Sequence, residues 1–548
     1  MRLLRKLLWC PAELSMWWHS MAVGLSLCFS LFLLACTRED KGPDVPSVPE
    51  ITANTQANRY TGFFLYGANM GWLNNNWRDE DVADILVGNR AKGLEGAGVI
   101  SLRPALYEQF VENWGFDVRV ETFAYYESIE VKQNTVFIGD LPSDAHRERR
   151  QYVSGVPSES FENLYDPIWI HGADGIIVNE NNYYAHYVYK LVQRYKNQVK
   201  FWEIKNEPDL TYRWDFAGAL PGEPGSWWDN DPSPDQLINW CAPIQSYVRL
   251  LRVSYEVIKY VDPDAFVCVG GIGYPSFLDA VLRNSDNPDE GKITDAYPYQ
   301  GGAWFDCLSF HIYPMYYLRS WAGSGFAHFR HSDAAAAALI NDKGEYERVL
   351  ANYGYGGQYP SKEVIVTETN IPHKQLGDYI GSFEAQRNYL VKAAITGQKN
   401  GLSAIYVYGP WDNAEQNGNG GEYDYMGLYK PLPNAPGGAL RLNESGVAWR
   451  TMSRILRERR YDSGETAKLS LPSNMEGAAF YAAKTNDFVY AFWAKTSVDL
   501  SEIASATYVF PTSIRADKLH VTFWDGSGTE VNGRTLPLNG SPVFVTCN

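Results

Sequence analysis

From about residue 60 to residue 460, short apolar runs alternate with longer stretches of helical period. Eight runs read as buried strands: GFFLYGAN (62–69), GVISLRP (98–104), TVFIGDL (135–141), VKFWEIKNE (199–207), AFVCVGG (265–271), FDCLSFHIYP (305–314), EVIVTETN (363–370) and SAIYVYGPW (403–411). Near-continuous apolarity over so short a span is what a strand covered on both faces requires. Between the runs, YYAHYVYKLVQRY (183–195), SYVRLLRVSYEVIKYV (246–261) and EAQRNYLVKAAITGQKNG (384–401) place apolar residues at helical spacing. Strands separated by helices predict parallel βα units. Eight of them predict an α/β chain folded as a (β/α)8 TIM barrel over 59–460, with insertions. An open doubly wound sheet is the rival, but no Gly-rich phosphate fingerprint follows the first run. From residue 461 the texture changes to apolar–polar alternation, punctuated by Asp525-Gly526 and Asn532-Gly533. That predicts a C-terminal antiparallel β-sandwich domain over 461–548.

Polar residues fall where the strands end. Asn69, Arg103, Asn206, Glu207, His311, Tyr313, Glu368 and Trp411 all sit at or just past the C-terminal ends of their runs, the face on which barrel sites are built. The fourth run ends in Asn206-Glu207-Pro208, and the proline forbids further pairing. The seventh run ends in Glu368. Two carboxyl groups about 5 Å apart can hydrolyse a β-glycosidic bond with retention, one protonating the leaving oxygen and the other attacking the anomeric carbon. Asn206 is placed to hydrogen-bond the sugar 2-hydroxyl. Glu203 and Lys205 alternate with Glu207 and are expected to point into the barrel as a buried pair.

These residues resemble those of clan A glycoside hydrolases, the retaining (β/α)8 superfamily that includes family 5 and family 39-like enzymes. The resemblance rests on WEIKNEPD, VIVTETN, SFHIYP, SLRP and YGPW, and spans most of 60–460. It implies that Glu207 is the acid/base and Glu368 the nucleophile. It implies that His311 touches substrate or acid/base, that Tyr313 hydrogen-bonds the nucleophile, and that Arg103 holds the nucleophile charged. Trp411 would lie beneath the sugar at the cleavage site. For Glu207 to start protonated, apolar walls or a nearby carboxylate should raise its pKa.

Composition narrows the substrate. The net charge is −16, and Arg2, Arg5, Lys6 and Glu13 leave the first 35 residues at +2. So acidic a chain repels nucleic acid and suits a neutral polysaccharide or oligosaccharide. Among 18 Trp and 37 Tyr, those on loops beyond the strand ends are candidate platforms for sugar rings: Trp72, Trp214 and Trp228 above all, with others bracing long loops. Endo cleavage of β-glucan is the first expectation, with β-mannan and β-galactan behind it. An exo-glycosidase and a non-catalytic glycan-binding lipoprotein are the rivals. No cofactor or metal is expected; His328 and His331 read as structural. Cys268 and Cys307, inside apolar runs, read as small core residues.

The N-terminus reads as a targeting segment. Basic residues precede MAVGLSLCFSLFLLAC (21–36), whose end, Leu33-Leu34-Ala35-Cys36, resembles a bacterial lipobox. That implies a signal peptide over 1–35, lipidation of Cys36 and a flexible tether over 36–58. Glu39 and Asp40 resemble the export signal of Bacteroidetes surface lipoproteins, so a monomer anchored to the outer membrane and facing outward is expected, with a periplasmic orientation as the alternative.

Overall fold

Eight parallel strands, each carrying its apolar run, close around a packed interior. The computed structural model describes residues 59–71, 76–170, 177–413 and 420–547; the lipobox, the tether and Trp72 lie outside them. The order is β1 (Leu65–Asn69), α1 (Asp79–Val87), β2 (Ser101–Arg103), α2 (Glu108–Trp114), α3 (Val120–Ser128), β3 (Asn134–Ile138), α4 (Tyr183–Tyr195) and β4 (Val199–Ile204). There follow α5 (Ile244–Val261), β5 (Phe266–Ile272), α6 (Pro275–Arg283), β6 (Cys307–Ile312), α7 (Ser332–Asn352), β7 (Glu363–Thr369), α8 (Phe383–Lys399), β8 (Ala404–Val407) and α9 (Glu444–Leu456). The sheet runs β2-β1-β8-β7-β6-β5-β4-β3. A parallel bridge between Ala105 and Phe137, with Leu106 N donating to Phe137 O at 3.1 Å, joins its two edges. Polar side chains start the helices where the sequence supplies them: Asn182 accepts from Ala185 N before α4, and Ser382 from Ala385 N before α8.

Inward-facing Leu65, Phe201, Phe266, Cys307, Ile365 and Tyr406 form the interior cluster. Cys268 faces Cys307 across β5 and β6, and both are free thiols buried in the core. The Tyr406 hydroxyl lies 2.6 Å from Ser101 Oγ and 2.7 Å from Thr135 Oγ1. Tyr60 packs beneath, against Phe201 and Phe266.

Two bulges set what the mouth presents. Val366 pairs with Phe310 on one side and Ile405 on the other, but the next pairs are Glu368 with His311 and Thr369 with Val407. So β7 carries one extra residue relative to both neighbours, and such a bulge re-aims the side chains beyond it. On β5, the step from Val269–Leu308 to Ile272–Phe310 likewise spends an extra residue at Gly270-Gly271.

After residue 460 the strands become antiparallel. They are β9 (Arg460–Asp462), β10 (Met475–Ala482), β11 (Asp487–Ala494), β12 (Ser505–Val509), β13 (Lys518–Thr522), β14 (Gly528–Asn532), β15 (Thr535–Asn539) and β16 (Val543–Cys547). One sheet runs β9-β10-β11-β16-β13-β14, and β12 pairs with β15. A buried polar cluster ties these strands to the barrel helices. Asp333 accepts from Trp493 Nε1 and Lys392 Nζ, both at 2.7 Å, and Glu502 accepts from Ser332 N at 2.7 Å.

Candidate active site

Three of the polar candidates at strand ends, Asn69, Asn206 and Glu368, meet at the Arg103 guanidinium, and Glu207, His311 and Tyr313 stand beside Glu368. Arg103, 2% exposed, follows directly from its position on β2, where Asn69 of β1 is its register partner. Its Nη1 donates to Glu368 Oε1 at 2.7 Å and to Asn69 Oδ1 at 2.9 Å. Its Nη2 donates to Asn206 Oδ1 at 2.6 Å. Its Nε donates to Glu203 Oε2 at 2.7 Å, beneath the mouth. Glu203 is fully buried, and its other oxygen accepts from Thr367 Oγ1 at 2.7 Å and Gly271 N at 3.0 Å.

The expected Glu203–Lys205 pair does not form. Lys205 has φ +69°, so strand alternation stops there, and its ammonium turns away from Glu203. It donates to Gly139 O at 3.1 Å and lies 3.3 Å from Asp140 Oδ1. Glu207 has φ +49°. A left-handed residue without a glycine's freedom is strained, and such strain clusters at functional sites.

Glu368 is held from two sides. Arg103 takes Oε1, and the Tyr313 hydroxyl donates to Oε2 at 2.6 Å. Tyr313 is in turn packed edge-on against Tyr408 and Tyr423. His311, 4% exposed, stands between the two glutamates: its Nδ1 is 2.8 Å from Glu207 Oε1 and 3.7 Å from Glu368 Oε2. One ligand-type atom from each of Glu207, His311 and Glu368 lies within 4.8 Å of the others. The same holds of Glu108, Glu112 and His146, where Glu108 already accepts from Ser143 N and contacts His146 Nδ1. His311 Nε2 faces Gly271, where an added Cβ would stand 2.3 Å from it; the β5 glycine is therefore required for the ring to fit.

The electrostatics correct one expectation. Burial alone would raise the Glu207 pKa, but the hydrogen bond to His311, the charge on that ring and Arg103 outweigh it, and the carboxyl stands below its ordinary value. Burial alone would lower the pKa of His311, but Glu368 and Glu207 outweigh it and move it up. The hydrogen-bonded partner of Glu207 is the His311 imidazole, not the apolar wall or carboxylate expected. Asp209, two residues on, is pushed up to about 7 by burial and by Glu207.

A cavity of about 270 Å³ opens beside this cluster, lined by Asn69, Arg103, Asn206, Glu368, Tyr408 and Trp411 among others. A larger one, about 870 Å³, lies among the loops entering β2 and β3, at the opposite end of the strands. Of the other predicted platforms, Trp214 is 71% exposed. Trp228 is not free: its Nε1 donates to Ala219 O at 2.9 Å, and it braces the long loop after β4. Trp227 and Trp240 are wholly buried. Sequence reasoning missed Glu203 as the partner of Arg103, and missed Tyr408, whose only signal was its place one residue past a strand.

No protein-family model matches the chain, and no curated protein does. Among solved structures it is similar to a conserved exported protein from Bacteroides fragilis, at 12% identity over 90% of this chain and 99% of that one, with a TM-score of 0.51. A glucosidase from Croceicoccus marinus (12% identity, 90% and 98%, TM-score 0.47) and a family 44 endoglucanase from Clostridium thermocellum (12% identity, 89% and 97%, TM-score 0.43) also align. At such identities the likeness is one of fold alone.

Replacing His311 by Phe removes both contributions of that ring to the depressed Glu207 pKa and leaves only Arg103 to oppose burial, the largest influence, which raises it. Carboxyl 13C NMR, with Glu207→Gln for assignment, should show the Glu207 midpoint below the usual ~4.3 in the parent and above it in the variant. An unchanged midpoint would contradict the pairing.

Proposed function

We propose that the protein is a retaining, endo-acting β-glycoside hydrolase that cleaves a neutral polysaccharide, β-glucan first, by double displacement. One observation carries this reading: a carboxylate oxygen of Glu207 and one of Glu368 lie within 4.8 Å of each other at the C-terminal mouth of the barrel. That spacing suits direct attack and leaves no room for the intervening water of an inverting enzyme.

In the first step, a Glu368 oxygen attacks the anomeric carbon while Glu207 gives a proton to the departing glycosidic oxygen. The C–O bond breaks and a glycosyl ester forms on Glu368. The 2.8 Å contact between His311 and Glu207 supplies the route by which that proton reaches Glu207. In the second step, Glu207 takes a proton from water, which attacks the same carbon and releases the sugar with its original configuration. The Asn206 side-chain amide makes no donor hydrogen bond among the described residues, since Arg103 engages its oxygen; it serves the 2-hydroxyl. Exposed aromatics support extended substrate: Trp214 after β4, and Trp321 against Phe326 after β6. The chain acts as a monomer without cofactor, held by lipid on Cys36 at the outer surface of the outer membrane.

Glu207→Ala and Glu368→Ala should each lower hydrolysis of an activated aryl β-glycoside by at least about a hundredfold, the usual worth of a positioned catalytic group. Added azide should rescue Glu207→Ala to a β-glycosyl azide and Glu368→Ala to the α-anomer. Activity unaffected by both changes would end the assignment. For the anchor, mass spectrometry of the mature N-terminal peptide should find diacylglycerol on Cys36; a free thiol there would overturn it.

A further inference from the structure

The cavity beside Glu368 does not stop at the reacting groups. Glu207, His311 and Tyr313 do not line it. Besides Asn206, Glu368 and Arg103, its lining takes in Tyr107 and Phe110 and reaches Asp79 at the start of α1 and Arg119 just before α3. In a double displacement the acid/base marks the leaving-group side and the nucleophile stands under the retained sugar. A cavity lined by Glu368 and not by Glu207 therefore extends on the glycone side.

Its far end is polar in a specific way. Arg119 Nη2 and Asp79 Oδ2 are 3.2 Å apart, with side chains 18% and 16% exposed. This is their only side-chain ion pair among the described residues. The Arg119 backbone N–H donates to the Tyr195 hydroxyl at 3.1 Å, and the guanidinium lies 5.9 Å from the Phe110 ring centre. Burial raises the Asp79 pKa against the pull of Arg119. A carboxylate and a guanidinium side by side offer acceptors and donors together, a pattern that matches neighbouring sugar hydroxyls. Because each charge offsets the other, an anionic sugar gains little there and meets the Asp79 carboxylate.

We propose that Asp79 and Arg119 form a second glycone subsite that hydrogen-bonds the hydroxyls of a neutral sugar one unit beyond the ring at Glu368, so that the enzyme selects glycones of at least two residues. This rests on the hydrolase reading above. Pocket-lining aromatics such as Tyr107 and Phe110 give that second ring an apolar face to lie on.

The test compares 4-nitrophenyl β-glucoside with the 4-nitrophenyl β-laminaribioside, β-cellobioside and β-gentiobioside, using the parent, Asp79→Asn and Arg119→Met. On the bioside the parent cleaves best, each variant should lose at least about tenfold in kcat/KM, the worth of one hydrogen bond to a charged group. The loss should fall mainly in KM. On the monoglucoside both should stay within about twofold, because that substrate never reaches the pair. Equal loss on both substrates would mark a structural role, and no loss on either would leave the pair idle; each overturns the subsite while parent activity keeps the hydrolase reading. A parent inert toward all four substrates would overturn both.

Discussion

A single buried guanidinium governs this molecule. Arg103 cannot leave water unless its charge is matched and its N–H groups are satisfied. The barrel meets that demand with two carboxylates and two amides from β1, β4, the segment beyond β4, and β7. Glu203 below and Glu368 above share one cation, so the residue proposed to attack the sugar is seated by the same ion network that fills the barrel. Removing one partner of such a buried pair typically costs about 3–5 kcal/mol. Integrity of the barrel and geometry of the site are thus one problem with one solution.

Around that centre the charges are coupled in a way that suits the proposed two-step reaction. Glu368 is the foremost of the groups that raise the His311 pKa against burial. In the proposed double displacement Glu368 loses its charge on becoming an ester, and His311 loses that support. In the same proposal Glu207, in contact with that ring, alternates between proton donor and acceptor. The imidazole therefore ties the state of one glutamate to the protonation of the other. Tyr313 completes the arrangement by holding the second oxygen of Glu368, with two further tyrosines fixing its ring.

Much of this was legible in the chain because it is local. Eight apolar runs gave eight strands, and the 183–195 helix begins and ends where its period does. The candidate residues were visible because each closes a strand. What was hidden depends on departures from regular backbone or on distant partners. Strict alternation on β7 would turn Glu368 away from Thr367 and the interior; the bulge reverses that, and no residue in EVIVTETN announces it. Alternation also mispaired Glu203 with Lys205, because nothing in a lysine forecasts a φ of +69°. The partner of Glu203 lies 100 positions earlier. Trp228 and Trp214 look alike in sequence, and only packing separates the brace from the exposed ring.

The most direct test of this account is covalent. A 2-deoxy-2-fluoro-β-glucoside with an activated leaving group, offered to the intact protein, should slow the second step and leave a fluoroglycosyl ester. Peptide mass spectrometry should find that mass on Glu368, with activity lost in proportion to labelling. A label on any other residue, or full turnover with no label at all, would contradict the seating of the nucleophile on Arg103.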